Sequence, residues 1–242
     1  MDNVFQKSLG FVGLACVWEF TARTIDNPVF PPISLVLPRL FQLILDGALT
    51  IHVGASIQTI LGGFTLAAVL GISLGIATAE FDYLERIVSP LVDAMRPVAA
   101  LTLFPLLILI FGLGMPARVF VIFWTAWPPI LINTIQAIRQ VDRDIVEAAQ
   151  LDGANRWALL RFFKLPLSLP LILTGLRIGM GTGWISLISS EMLGSSRGLG
   201  FSILSFSQTF RFLEMYATII LIALLGLTMN SALGWYQHFL SE

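Results

Sequence analysis

A chain of 242 residues in which 56% are hydrophobic and only 12% charged has about half the charge of a soluble domain, where roughly a quarter of residues are Asp, Glu, Lys or Arg. It cannot clothe itself in solvated side chains, and a mean hydropathy of +0.85 makes lipid the natural solvent for its surface. The net charge of −1 offers no basic balance for a nucleic-acid partner. Cys16 stands alone, which excludes an intrachain disulfide, and His52 and His238 show no metal-ligand spacing.

A membrane-spanning helix needs about 20 mostly apolar residues, and six segments qualify. The first covers about 8–25, with Glu19 inside it one turn before Arg23, a pair that can neutralise itself. Lys7 before this apolar run fits a signal peptide loosely, but no small-residue cleavage site follows, so it is read as a retained span. The second, about 53–79, has no charge. The third, about 97–113, reads VAALTLFPLLILIFGLG after Pro97, with Asp93 and Arg96 left in the preceding loop. The fourth, about 117–138, is rich in aromatics and Pro. The fifth, about 168–190, carries Arg177, and the sixth covers about 215–236.

Six spans put both termini on one side. With the N-terminus cytoplasmic, the inner segments hold Lys7, Arg86, Arg96, Arg139, Arg143, Arg156, Arg161 and Lys164, and the outer ones Arg23, Arg39, Arg118, Arg197 and Arg211. The excess inside favours cytoplasmic termini.

That orientation places the most polar stretch of the chain, residues 139–165, on the cytoplasmic face. Its spacing predicts a short amphipathic helix pair, with Asp144 as N-cap, Glu147 three residues later, and Gly153 ending the first helix. A helix lying in the membrane interface is the plainer reading. Asp142, Asp144, Glu147 and Asp152 nevertheless balance the basic residues, and a mixed-charge, Ala-rich surface suits a protein partner better than anionic lipid.

Within this stretch Glu147-Ala148-Ala149, three residues, Gly153, nine residues, Phe163, one residue and Leu165-Pro166 resemble the EAA loop of ABC importer permeases, whose pattern is EAA-x3-G-x9-I-x-LP. Every spacing matches, and the one departure, Phe163 for Ile, keeps a large apolar side chain. PPISLVLPRL, FPLLILIFGLG, Gly175-Leu176-Arg177 with Trp184 and Glu191, and Gly198-Leu199-Gly200 are similar to the nitrate, sulfonate and taurine branch. The resemblance covers about residues 28–237.

The resemblance implies an all-α membrane protein with the six-span type I ABC importer permease fold, a single transmembrane domain over 1–242 with its coupling loop at 139–166. It implies a second copy of the chain, two cytoplasmic ATPase subunits holding ATP and Mg, an extracytoplasmic binding protein and the lipid of a prokaryotic inner membrane. The coupling residues are then Ala148, Ala149 and Gly153, small enough for close approach, Glu147, able to pair with a basic partner residue, and Leu165-Pro166, turning the segment into the fifth span, because Pro cannot continue the preceding helix. No cofactor is expected in the chain, which is not itself an ATPase. Its two lysines, Lys7 and Lys164, follow Gln and Phe, so there is no GxxxxGK phosphate loop.

Ionisable residues at membrane depth face cavities or partners. Arg177, ten residues into the fifth span, either lines the pathway as positive potential for an anion or caps carbonyls of a neighbouring helix. Glu191 shares its face about 21 Å further along, at the outer mouth or as a helix-end charge. Gly175, Gly179 and Gly183, like Gly71 and Gly75, have the spacing of close helix contact. Gly181 and Gly183 are candidates for a gate, and Trp184 for a pathway contact. The expected cargo is a small anion or zwitterion such as nitrate, a sulfonate, taurine or bicarbonate. A vitamin or pyrimidine precursor, or a stand-alone secondary transporter, are the alternatives.

Overall fold

The computed structural model describes residues 2–241. Among them every regular element is helical: α1 (Asp2–Ile25), α2 (Ile33–Leu45), α3 (Thr50–Glu80), α4 (Asp82–Met95), α5 (Phe104–Phe111), α6 (Met115–Arg139), α7 (Arg143–Leu151), α8 (Arg156–Ala158), α9 (Leu165–Gly194), α10 (Leu199–Gln208) and α11 (Phe212–Ser241). A 3₁₀ turn (Ala100–Leu103) leads into α5, and a π-wound stretch (Leu159–Lys164) joins α8 to α9.

Four helices are long and apolar enough to cross a membrane, and α4 with Ala100–Phe111 makes a fifth only as one span bent by 82°. The third expected span is corrected accordingly. Residues 100–111 advance about 20 Å, short of a hydrocarbon core of about 30 Å. Pro97 and Pro105 remove backbone donors at its start, and Gly112, at φ +77°, ends it. The first expected span lies in α1, where Glu19 pairs with Arg23 at 2.6 Å and also accepts a 3.1 Å bond from the Ser34 N–H.

Contacts divide the chain into two compact units. In the unit of residues 1–56 and 191–225, Val36, Leu40, Leu43 and Leu49 bury against Ala217. Trp18, Phe30 and Tyr216 pack their rings at 5.6–6.0 Å. Glu214 takes Arg39 at 2.9 Å and Arg211 at 2.8 Å.

In the unit of residues 57–190 and 226–242, α6 is central. A Cβ on Gly71 of α3 would lie 2.8 Å from Ile130 Cγ2, and one on Gly179 of α9 would lie 2.7 Å from Ile130 Cγ1. Ile122 is held likewise, 2.6 Å from a Cβ on Gly63 and 3.3 Å from one on Gly183. Both isoleucines are fully buried. Lipid offers no hydrophobic drive for helix association, so this closeness supplies the van der Waals attraction instead. Pro129 within α6 frees the Thr125 carbonyl, and the Thr182 hydroxyl of α9 lies 3.2 Å from it.

Gly179→Ala is expected to lower stability by about 1–3 kcal/mol through overpacking. Gly181→Ala, with nothing within 4 Å of its added Cβ, is expected to be neutral or to stabilise by about 0.5–1 kcal/mol. Thermal unfolding in detergent checks the pair, and equal effects would remove the close-contact account.

Candidate coupling segment and transport cavity

Helix α7 is capped at its start by Asp142, whose side chain accepts from the Asp144 N–H at 3.0 Å. The cap is therefore Asp142 rather than the expected Asp144, because residue 144 already lies inside the helix. The helix ends in a Schellman turn: Ala154 N–H bonds the Ala149 carbonyl at 3.0 Å, Gly153 N–H bonds the Gln150 carbonyl at 3.0 Å, and Gly153 sits at φ +85°. Asn155 then caps the next turn, accepting from the Ala158 N–H at 2.8 Å. Ala149 is buried, whereas Glu147, Ala148 and Gly153 are exposed. Beside them stand Leu151, 89% exposed, and Trp157.

Leu165 and Pro166 do not make a turn, which corrects the sequence expectation. One helical path runs from Arg156 to Gly194. Pro166 has no N–H and crowds the carbonyl four residues back. The helix accommodates it by widening, with Leu165 N–H bonding the Leu160 carbonyl five residues back. Sequence reasoning also missed Glu80, at the end of α3, whose carboxylate takes both Arg156 (3.3 Å) and Lys164. Only an acid at the end of an otherwise uncharged apolar run signalled it.

Deeper in the chain, Arg177, Gly181 and Trp184 come together on one cavity of about 410 Å³, with Thr182, Gly226 and Asn230. Arg177 donates to Gln237 Oε1 at 3.0 Å and to Asn230 Oδ1 at 3.5 Å. Gln237 in turn donates to the Pro170 carbonyl and to Thr174 Oγ1, both at 3.0 Å. Gly234 makes room for the guanidinium, since a Cβ there would lie 3.3 Å from Arg177 Cζ. Gly226 does the same for Trp184, at 2.9 Å from Nε1, and that buried indole N–H has no acceptor among the described residues. Sequence reasoning missed Gly226, Asn230, Gly234 and Gln237. Their signal is small and polar residues at helical spacing along one face of an apolar helix.

Glu191 is not in this cavity, nor does it face an open mouth: it is 0% exposed. Ser56 donates to its Oε1 at 2.7 Å and Gly200 N–H to its Oε2 at 2.9 Å. Ser56 accepts from Leu199 N–H at 2.9 Å. The Glu191 carboxyl group thus takes the Gly200 N–H directly and backs the Ser56 hydroxyl that takes the Leu199 N–H, so both free donors at the start of α10 are met. A Cβ on Gly198, at φ +123°, would collide with the carboxyl group.

Residues 67–242 match the binding-protein-dependent transport system inner membrane component family. The chain belongs to that family and is the transmembrane permease subunit of an ABC importer. It is 31% identical over 230 residues to the taurine transport system permease protein of Escherichia coli, across 93% of this chain and 84% of that one. It is 30% identical to the bicarbonate transport system permease protein of Synechococcus elongatus, across 99% and 90%. It is 33% identical to the riboflavin transport system permease protein of Chloroflexus aurantiacus, across 94% and 85%. Among solved structures, the MetNI methionine ABC transporter in an inward-facing conformation shares the fold, with TM-score 0.69 at 19% identity over 80% of this chain and 96% of that one.

Glu191→Ala would strand the Ser56 hydroxyl and the Gly200 N–H. It is expected to lower stability by roughly 2–4 kcal/mol, at about 1–3 for each buried donor left unpaired. Glu191→Gln, which keeps one acceptor oxygen, should cost less. Thermal unfolding in detergent compares them, and an alanine variant as stable as the parent would refute the capping role.

Proposed function

We propose that two copies of the chain form the pathway for a small anion or zwitterion of the taurine or bicarbonate type, driven by ATP hydrolysis in two separate cytoplasmic subunits. The observation that carries the cargo class is the cavity that gathers Arg177, Asn230 and Thr182 in an apolar setting. A half-buried guanidinium there sets positive potential on a largely apolar cavity wall, where charge is screened less than in bulk water. The names of the taurine and bicarbonate relatives agree with a small anionic or zwitterionic cargo. The riboflavin relative favours a second reading, a vitamin or pyrimidine precursor. Ligand binding by the cognate binding protein separates them: tight binding of a neutral ring compound would reject the anion reading.

On this proposal both termini lie in the cytoplasm of a prokaryotic cell, the whole chain is one transmembrane domain, and ATP and Mg are bound by the partner subunits. Alternating access moves the cargo from an extracytoplasmic binding protein. Glu147, Ala148, Ala149 and Gly153 dock on the ATPase, and Leu165-Pro166 passes the motion into α9. The exposed Glu147 and Ala148, beside an 89% exposed Leu151, supply a charged and an apolar contact for that partner. Glu191 contributes by holding α10 in place.

Gly153→Ala must adopt φ +85° with a Cβ, at about 1–2 kcal/mol. It is expected to lower co-purification of the ATPase subunits several-fold, and unchanged recovery would refute the docking site. Arg177→Gln is expected to reduce uptake of an anionic cargo about tenfold or more, because a hydrogen bond to a charged group is worth about 1.5–3 kcal/mol. ATPase co-purification should not change. Uptake by liposomes holding the whole importer measures this, and full uptake would take Arg177 out of the pathway.

A further inference from the structure

The π-wound stretch Leu159–Lys164 is bracketed by two cations, Arg156 just before it and Lys164 at its end. Both turn to the same carboxylate. Lys164 Nζ donates to Glu80 Oε1, and Arg156 Nε donates to Glu80 Oε2 at 3.3 Å. Arg156 also donates to the Glu80 backbone carbonyl, and its guanidinium lies 4.7 Å from the centroid of the Phe81 ring. The Glu80 side chain is only 8% exposed and that of Lys164 19%, so the Lys164 pair is shielded, whereas Arg156, 63% exposed, closes the carboxylate on its solvent side.

A π turn followed by a proline is where a helix bends most readily. A push delivered to α7 and passed along the helix from Arg156 would be absorbed there. Two ion pairs from either end of the π turn to one carboxylate resist a bend that opens the turn on the Glu80 side, because such a bend draws Arg156 away from Lys164. With the bend blocked, the same push is carried to the inner end of α3 as well as into α9.

We propose that Glu80 is a positioning residue for ATP-driven transport, a clamp that stiffens the π turn and couples the docking segment to α3. The inference rests on the reading of residues 147–166 as the docking element. The two fail differently: loss of docking removes the ATPase subunits from the purified complex, whereas loss of the clamp leaves them bound.

The test is ATP hydrolysis by the complete importer in liposomes, with and without its binding protein. Glu80→Gln is expected to retain ATPase subunits and basal hydrolysis within about twofold, while stimulation by the binding protein falls at least fivefold. Glu80→Asp should keep most of the stimulation. Glu80→Lys combined with Lys164→Glu and Arg156→Gln should restore at least half of it. A role in stability alone would lower basal and stimulated rates together, and that result overturns the proposal. So does normal stimulation in Glu80→Gln, or an exchanged pair that restores nothing. If Glu80→Gln does not fold, Arg156→Gln and Lys164→Gln each leave one cation on Glu80. Partial loss of stimulation in each supports the clamp, and full stimulation in both overturns it.

Discussion

Absence of side chains at a few glycines is the constraint on which the central helices depend. Gly71 and Gly179 admit Ile130 from opposite sides, and Gly63 and Gly183 do the same for Ile122. Contacts this close leave no slack, so α3, α6 and α9 around residues 60–80, 119–134 and 175–183 behave as one packed body. Polar groups follow the same rule. Thr182 reaches the carbonyl that Pro129 leaves without a partner, and Thr134 returns its hydroxyl to the Ile130 carbonyl at 2.8 Å. In a setting with no water to complete hydrogen bonds, each backbone interruption must be met by a nearby side chain.

The segment of residues 142–164 joins this body under two different regimes. Its outward side is α7, short and exposed, fixed at both ends by Asp142 and by the Schellman turn at Gly153. Its inward side is the continuous helix from Arg156, softened at the π turn and held by ion pairs with Glu80. Local caps at both ends fix the shape of α7. The ion pairs tie both ends of the π turn to the end of α3.

Much of this was legible in residue order. The spacing located the end of α7 at Gly153 and its cap two residues late, at Asp144 instead of Asp142, because capping and the glycine stop are local events that depend on neighbours in sequence. The small-residue spacing in α3 and α9 announced close packing for the same reason, since every fourth residue shares one helix face. The third span read wrongly because apolar composition was taken for length, while Pro97 and Pro105 set the backbone. Leu165-Pro166 read wrongly because a proline can end a helix or be absorbed by a π turn, and the choice lies in the surrounding packing.

By itself, the sequence determined that the chain lives in lipid, that its helices meet through glycine, and that one polar stretch carries the spacing of an EAA loop. These follow from composition and from spacings within single helices. Only the tertiary structure decided the company each charge keeps. Arg177 meets Asn230 and Gln237, Glu191 meets Ser56 and the start of α10, and Glu80 meets Arg156 and Lys164. Those partners lie from 9 to 135 positions away in sequence, and no local periodicity relates residues so far apart. A buried charge must find a partner, but which one it finds depends on how the helices pack.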